Sequence, residues 1–206
     1  MRVMLLVAAL VGAVFGGCSR AGPAPETKAT EGGEVVDRQI AAHVGEKLGA
    51  SAADVVVEVM KDAGAPGVVV FTARVPAEKK GRPPRHLYGV VAGGEVVTER
   101  DAAMKRVLDA WDYGPKRAVP PATVARVFGV LQGASRDPTA ALVTEAELHS
   151  VAVELQDGLF PPREVEVEGQ PAVEYWVTSS EVPLRRTMAV IGPDRAVKLS
   201  VEEKWQ

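Results

Sequence analysis

Apolar residues recur at three- and four-residue intervals along four stretches of the chain, and at two-residue intervals along most of the remainder. The first helical stripe is Val36, Ile40, Val44 and Leu48, widened by Ala41, and it predicts an amphipathic helix over 35–48 with Gly49 as its stop. Two valine-rich runs follow, 54–60 (DVVVEVM) and 67–75 (GVVVFTARV), joined by a Gly/Pro turn at 63–66; both read as strands. Beyond a polar insert at 76–85, residues 86–91 and 95–98 flank Gly93-Gly94, a pair favoured in tight hairpins. Residues 98–101 (TERD) then resemble a capping box, opening a helix whose inner face is Met104, Val107, Leu108 and Trp111 and which ends near Gly114. A further helix is expected from Pro121, with Val124, Val127, Phe128 and Leu131 inward and Gly133 closing it. Residues 144–147 (TEAE) form a second capping box, for a helix burying Leu148, Val151, Ala152 and Leu155. Pro161-Pro162 ends the helical region, and 163–168, 172–178, 184–191 and 196–202 read as strands.

The order helix, strand, strand, hairpin thus occurs twice. Residues 87–97 and 187–197 match at a constant offset of one hundred, pairing Tyr88 with Met188, Val90 with Val190, Val91 with Ile191 and Val97 with Val197. Upstream, VVVEV at 55–59 resembles REVEV at 163–167, and each precedes a strand with an aromatic residue, Phe71 or Tyr175. The expected fold class is α+β: antiparallel sheets each packed by a helix, in a tandem helix-plus-four-strand repeat with two linking helices. The first unit spans 35–114, and a linking helix with the second unit spans 115–206. In element order this resembles cystatin-like, PepSY-like and β-lactamase-inhibitor-like domains, several of which are extracytoplasmic binding modules; element order alone does not fix a function.

The start of the chain is of another kind. Met1 and Arg2 precede an uncharged apolar run at 3–17 (VMLLVAALVGAVFGG). A membrane-spanning helix needs about 20 apolar residues, so this run reads as a signal peptide. Phe15-Gly16-Gly17-Cys18 resembles the bacterial lipobox, with small residues before the cysteine and Phe15 where an aliphatic residue is usual. The resemblance covers 1–19. It implies removal of 1–17, lipid attachment at Cys18, and a palmitate-bearing lipoprotein of the cell envelope. Ser19 in place of aspartate implies the periplasmic side of the outer membrane over the inner membrane. Residues 18–34 lack apolar periodicity and are punctuated by Gly22, Pro23, Pro25, Gly32 and Gly33, as a flexible tether would be.

Composition narrows the function classes. With 47% hydrophobic and 25% charged residues, the chain has the makeup of an ordinary globular protein rather than a disordered one. A net charge of −3 supplies no basic field for nucleic acid. Cys18 is the sole cysteine, so its acylation would leave no disulfide, thiol nucleophile or thiolate metal site.

Candidate chemistry is sparse. His43 with Glu46 and Glu145 with His149 have same-face helical spacing, but zinc takes three or four ligands and no HExxH or Cys/His cluster supplies them. No Gly-x-Ser-x-Gly or Ser-x-x-Lys occurs, and Ser179-Ser180 reads as a turn. Glu164, Glu166 and Glu168 alternate with Val165 and Val167, which predicts a solvated carboxylate face above a buried valine face. His86, at a strand start beside a basic loop, could titrate near neutral pH. Lys79, Lys80, Arg82 and Arg85, displayed beside Pro83-Pro84, are the candidate anion contacts, expected on an exposed projecting loop. An aromatic groove between the repeats would draw on Trp111, Tyr113 or Trp176. The expectation is a non-enzymatic envelope binder of a protein, lipid or glycan, without cofactor, metal or catalytic residues. The alternative is an envelope hydrolase built on dispersed carboxylates and histidines.

Overall fold

A computed structural model describes residues 31–60, 63–77, 83–114, 119–133, 138–151, 157–179 and 184–203. They form an α+β fold with two antiparallel sheets and helices packed against them. The first sheet is a meander of β1 (Val56–Met60), β2 (Val68–Val75), β3 (Arg85–Ala92) and β4 (Glu95–Val97), in that order. Gly93 and Gly94 both adopt positive φ, 59° and 80°, so β3 and β4 are joined by a two-residue turn that L side chains rarely tolerate. Helix α1 (Glu31–Leu48) begins before the expected residue 35 and lays Ile40 and Val44 on Phe71, Ala73 and Val91.

The second sheet has the order β5-β7-β8-β9, from β5 (Thr139–Leu142), β7 (Gln170–Ser179), β8 (Arg185–Ile191) and β9 (Val197–Glu203), while β6 (Arg163–Val167) also pairs with β7. Because β7 is ten residues long, one of its edges serves two short strands: residues 170–174 pair with β6 and residues 176–179 with β5. Strand β5 was not expected. Its TAAL sequence carries neither alternation nor β-branched enrichment, and it is placed by tertiary contact: a Cβ on Gly129 would lie 2.7 Å from both Ala141 N and Ala141 Cβ. The glycine lets helix and strand backbones approach.

Helices α2 (Arg100–Trp111) and α3 (Pro121–Leu131) were expected as linkers, yet they form the central layer. Met104, Val107, Leu108 and Trp111 of α2 and Val124, Val127, Phe128 and Leu131 of α3 share one core with Val70 and Val90 of the first sheet and Val173, Tyr175, Val177, Ala189 and Ile191 of the second. The layers therefore run α1, first sheet, α2 with α3, second sheet. A two-sided apolar helix is what an interior layer requires, and α3 meets it with six buried residues out of eleven. The cap of α2 is Glu99, one residue after the expected Thr98; its carboxylate accepts from Asp101 N (3.4 Å) and Ala102 N (2.7 Å) and adds negative charge at the positive end of the helix. The TEAE capping box forms as expected on α4 (Glu145–His149), with Glu147 returning to the Thr144 N–H at 2.8 Å. That helix is short, and of its expected face Ala152 and Leu155 lie outside the described residues.

The element order repeats, but the residue match at offset one hundred does not survive. Val90 pairs with Val97, whereas Val190 pairs with Lys198 and it is Ile191 that pairs with Val197. Val90 and Ile191 face the central core, and Val190 faces away from it. Phe71 and Tyr175 also diverge: the first packs under α1, the second in the central core.

Candidate functional site

Strand β7 is buried on both faces from Ala172 to Val177. Its odd-numbered residues, Val173, Tyr175 and Val177, enter the central core, so Ala172, Glu174 and Trp176 point to the outer face, away from α2 and α3. Glu174 there has a side chain only 2% exposed, flanked by Arg163 of β6, which pairs with it directly, and Arg186 of β8, which lies opposite Trp176. Arg163 donates to its Oε2 from Nε at 2.7 Å and Nη2 at 2.6 Å. Arg186 donates to Oε1 from Nε at 2.6 Å and also from Nη2. Arg186 continues to Glu202 at 3.3 Å, and the Arg163 guanidinium sits 3.9 Å over the Phe160 ring, which packs against Trp176 at 5.5 Å. The result is a chain of contacts across the face: Trp176, Phe160, Arg163, Glu174, Arg186, Glu202.

Burial by itself would raise the Glu174 pKa, but the guanidinium hydrogen bonds of Arg186 and Arg163, and then their charges, outweigh it and hold the carboxyl below the ordinary glutamate value. A carboxylate so clamped stays ionised near neutral pH and has both oxygens engaged. It is badly placed for acid catalysis and well placed to fix two half-exposed guanidiniums, whose side chains are 52% and 39% exposed, on the outer face of the sheet. Around them, Val165, Val167, Met188 and Val190 are half-buried, and Lys198, Ser200 and Glu202 are exposed. One end of the face is closed by a small apolar cluster in which Leu148 of α4 joins Leu142, Trp176 and Leu184.

Glu174 was not foreseen. Its signal is a lone glutamate inside PAVEYWV, a run otherwise apolar enough for a strand buried on both faces.

The expected site residues fare unevenly. Cys18, Lys79, Lys80 and Arg82 lie outside the described residues, as does Ser180; Ser179 ends β7. Arg85 is not on a projecting loop: it opens β3, is half-buried, and donates to the Leu48 carbonyl at the end of α1, where a cation also suits the helix dipole. His86 is half-buried with its Nδ1 enclosed and unbonded among the described residues; burial and then the Arg74 charge lower its pKa against an opposing pull from Glu58. The aromatic groove is absent from the described residues. Trp111 is 2% exposed and donates its Nε1–H to the Ala63 carbonyl at 3.1 Å, and Trp176 lies on the opposite side of the second sheet from it.

The carboxylate row is corrected too. Glu164 and Glu166 are exposed, but Val165 and Val167 belong to the outer face, and Glu164 lies on the helix side, where, after burial, its charge raises the pKa of Tyr113. Glu168 sits in the turn at φ 52°, outside the strand. His43 belongs to α1, beyond the first sheet, and His149 to α4, on the outer face of the second, so the two do not meet. Among the described residues no three His, Cys, Asp or Glu side chains gather as a metal site, and no helix is long and apolar enough to cross a membrane. No family model, curated protein or solved structure matches the chain.

Proposed function

We propose that this chain is an envelope lipoprotein, acylated at Cys18 and tethered through the residues that precede α1, that binds a macromolecular partner and does not turn over a substrate. The observation that carries the reading is the outer face of the second sheet, where Glu174 locks Arg163 and Arg186 in fixed positions amid half-buried apolar side chains. Arginine held rigidly beside apolar area is a makeup on which protein interfaces concentrate their binding energy. The wide separation of His43 and His149 favours this reading over a hydrolase.

A photo-crosslinking residue placed at Ser200, exposed on this face, tests the reading in cells carrying the full chain, with the same residue at Glu46 on the far side of the molecule as control. Discrete adducts from position 200 and none from position 46 are expected. Adducts equally from both, or from neither, would overturn it.

A further inference from the structure

A strand at the edge of an open sheet leaves one row of backbone N–H and C=O groups without a partner strand. Among the described residues β1, β4, β5, β6 and β9 each have such an edge. Strand β9 is the longest of them at seven residues, and its VKLSVEE sequence has neither the proline nor the glycine that would blunt it.

Both sides of this edge are open. Lys198, Ser200 and Glu202 lie opposite Val190, Met188 and Arg186 of β8 and point to the outer face, where all three are exposed. Leu199 and Val201 point to the helix side, and Val201 remains 50% exposed there, an unusual position for a large apolar side chain. Glu202 meets Arg186 at 3.3 Å but keeps most of its side chain in solvent, with room for a second cation, and Lys198 has no ion pair among the described residues.

Read outward from Ser200, β9 places an apolar residue one step away and opposite charges two steps away: Leu199 and Lys198 in one direction, Val201 and Glu202 in the other. That order is complementary to its own reverse. We propose that β9 pairs antiparallel with β9 of a second copy of this chain, with Ser200 on the two-fold axis. Lys198 then faces the partner's Glu202 and Glu202 the partner's Lys198, so each Glu202 bridges its own Arg186 and the partner's lysine. On the helix side Leu199 faces the partner's Val201, which removes the exposed valine from water. The contact is isologous, and it closes about six to eight backbone hydrogen bonds over the seven residues. The shorter edges do not match themselves in this way. Centred on its own middle residue, β1 would set Glu58 against the partner's Glu58, and β6 would set Glu164 against the partner's Glu166; like charges directly opposite are destabilising. Strands β4 and β5 have only three and four residues. Pairing through β9 joins two five-stranded sheets into one and carries the outer face across both copies. It rests on the strand and not on the partner-binding reading: an adduct of twice the chain mass from the Ser200 crosslinker above would count for this contact and not for a separate partner.

Disulfide trapping in cells that carry the full chain with two distinguishable tags tests it. Residues opposite one another in an antiparallel pair have Cα atoms about 4.5 or 5.5 Å apart, both within the roughly 4.4–6.8 Å that a disulfide spans. Ser200→Cys should therefore give, on oxidation with copper phenanthroline, a reducible product of twice the chain mass bearing both tags. Lys198→Cys, about 14 Å from its own copy in this register, should not. The parent, whose sole cysteine is Cys18, serves as blank. In the Ser200→Cys chain, Lys198→Glu turns two attractive pairs repulsive and should lower the yield at least about fivefold, and adding Glu202→Lys should restore it to within about twofold. No such product from Ser200→Cys, a product of another mass bearing one tag, an equal yield from Lys198→Cys, a yield that Lys198→Glu leaves unchanged, or a loss that the second exchange does not recover would overturn the proposal.

Discussion

Replacing Glu174 by glutamine keeps the shape of the side chain and removes its charge, and the structure sets the expected cost. The carboxylate accepts from Arg163 and Arg186 on both oxygens while almost fully buried. Removing one partner of a fully buried ion pair costs about 3–5 kcal/mol. Here the arginines are 52% and 39% exposed and can turn to water, so the loss at neutral pH should be smaller, about 1–3 kcal/mol. At roughly 2–4 °C per kcal/mol for a chain of this size, the melting temperature should fall by about 2–12 °C. The pH dependence separates charge from packing. The folded pKa of Glu174 lies below its ordinary value of 4.5, so the stabilisation is complete above that value and is lost as the pH falls through the folded one. Glutamine does not titrate. The gap between parent and variant in thermal unfolding followed by circular dichroism should therefore be full at pH 7 and narrow from about pH 5 downward. A gap of constant size from neutral to acid pH would mean that the loss is steric, and no gap at pH 7 would mean that the carboxylate is not clamped.

Gly129→Ala should destabilise the fold although it improves a helix interior: a helical gain of about 0.5–1 kcal/mol is set against about 1–3 kcal/mol for forcing a Cβ to 2.7 Å from Ala141, and a raised melting temperature would show that α3 and β5 are not in close contact. Thr187→Val should stabilise by about 1 kcal/mol, because the Thr187 hydroxyl is fully buried and unbonded among the described residues; a fall in melting temperature would show that it has a partner. Cys18→Ala should abolish incorporation of a palmitate analogue in metabolic labelling, and labelling that persists in the variant would remove the lipoprotein reading.

What could be read from the sequence was decided by whether a segment's burial leaves a period in its own residues. The stripes of α2 and α3 emerged correctly because Met104, Val107, Leu108 and Trp111, and Val124, Val127, Phe128 and Leu131, are all buried, that of α1 because Ile40 and Val44 are, and the strands of the first sheet emerged because β2 alternates between two apolar surfaces. That α2 and α3 lie between two sheets was hidden, since periodicity records how much of a helix is apolar and not what meets it. Strand β6 shows the same gap: its alternation separates valines from glutamates correctly, yet the valines face away from the helices. Glu174 was hidden for a different reason. A glutamate's burial depends on two arginines 11 and 12 residues away on separate strands, and no local spacing announces that meeting.

The repeat shows how a one-residue difference can be structural in full. Val97 and Val197 occupy matching positions at offset one hundred, each facing the central core, but their partners, Val90 and Ile191, are related by an offset of one hundred and one. The two hairpins absorb that difference in their turns. The first closes with two residues, Gly93 and Gly94, between the paired Ala92 and Glu95; the second leaves residues 192–196 between the paired Ile191 and Val197. Within that longer loop Arg195 adopts φ 62° and donates to Tyr113 O at 3.1 Å, Asp109 at 3.2 Å and Asp112 at 2.7 Å, all at the end of α2. A one-residue slip on a strand exchanges its faces, so had β8 kept the register implied by offset one hundred, Val190 would enter the core and Ile191 would leave it. The larger side chain is the one buried, and the loop that permits this is the one fastened to the central helical layer.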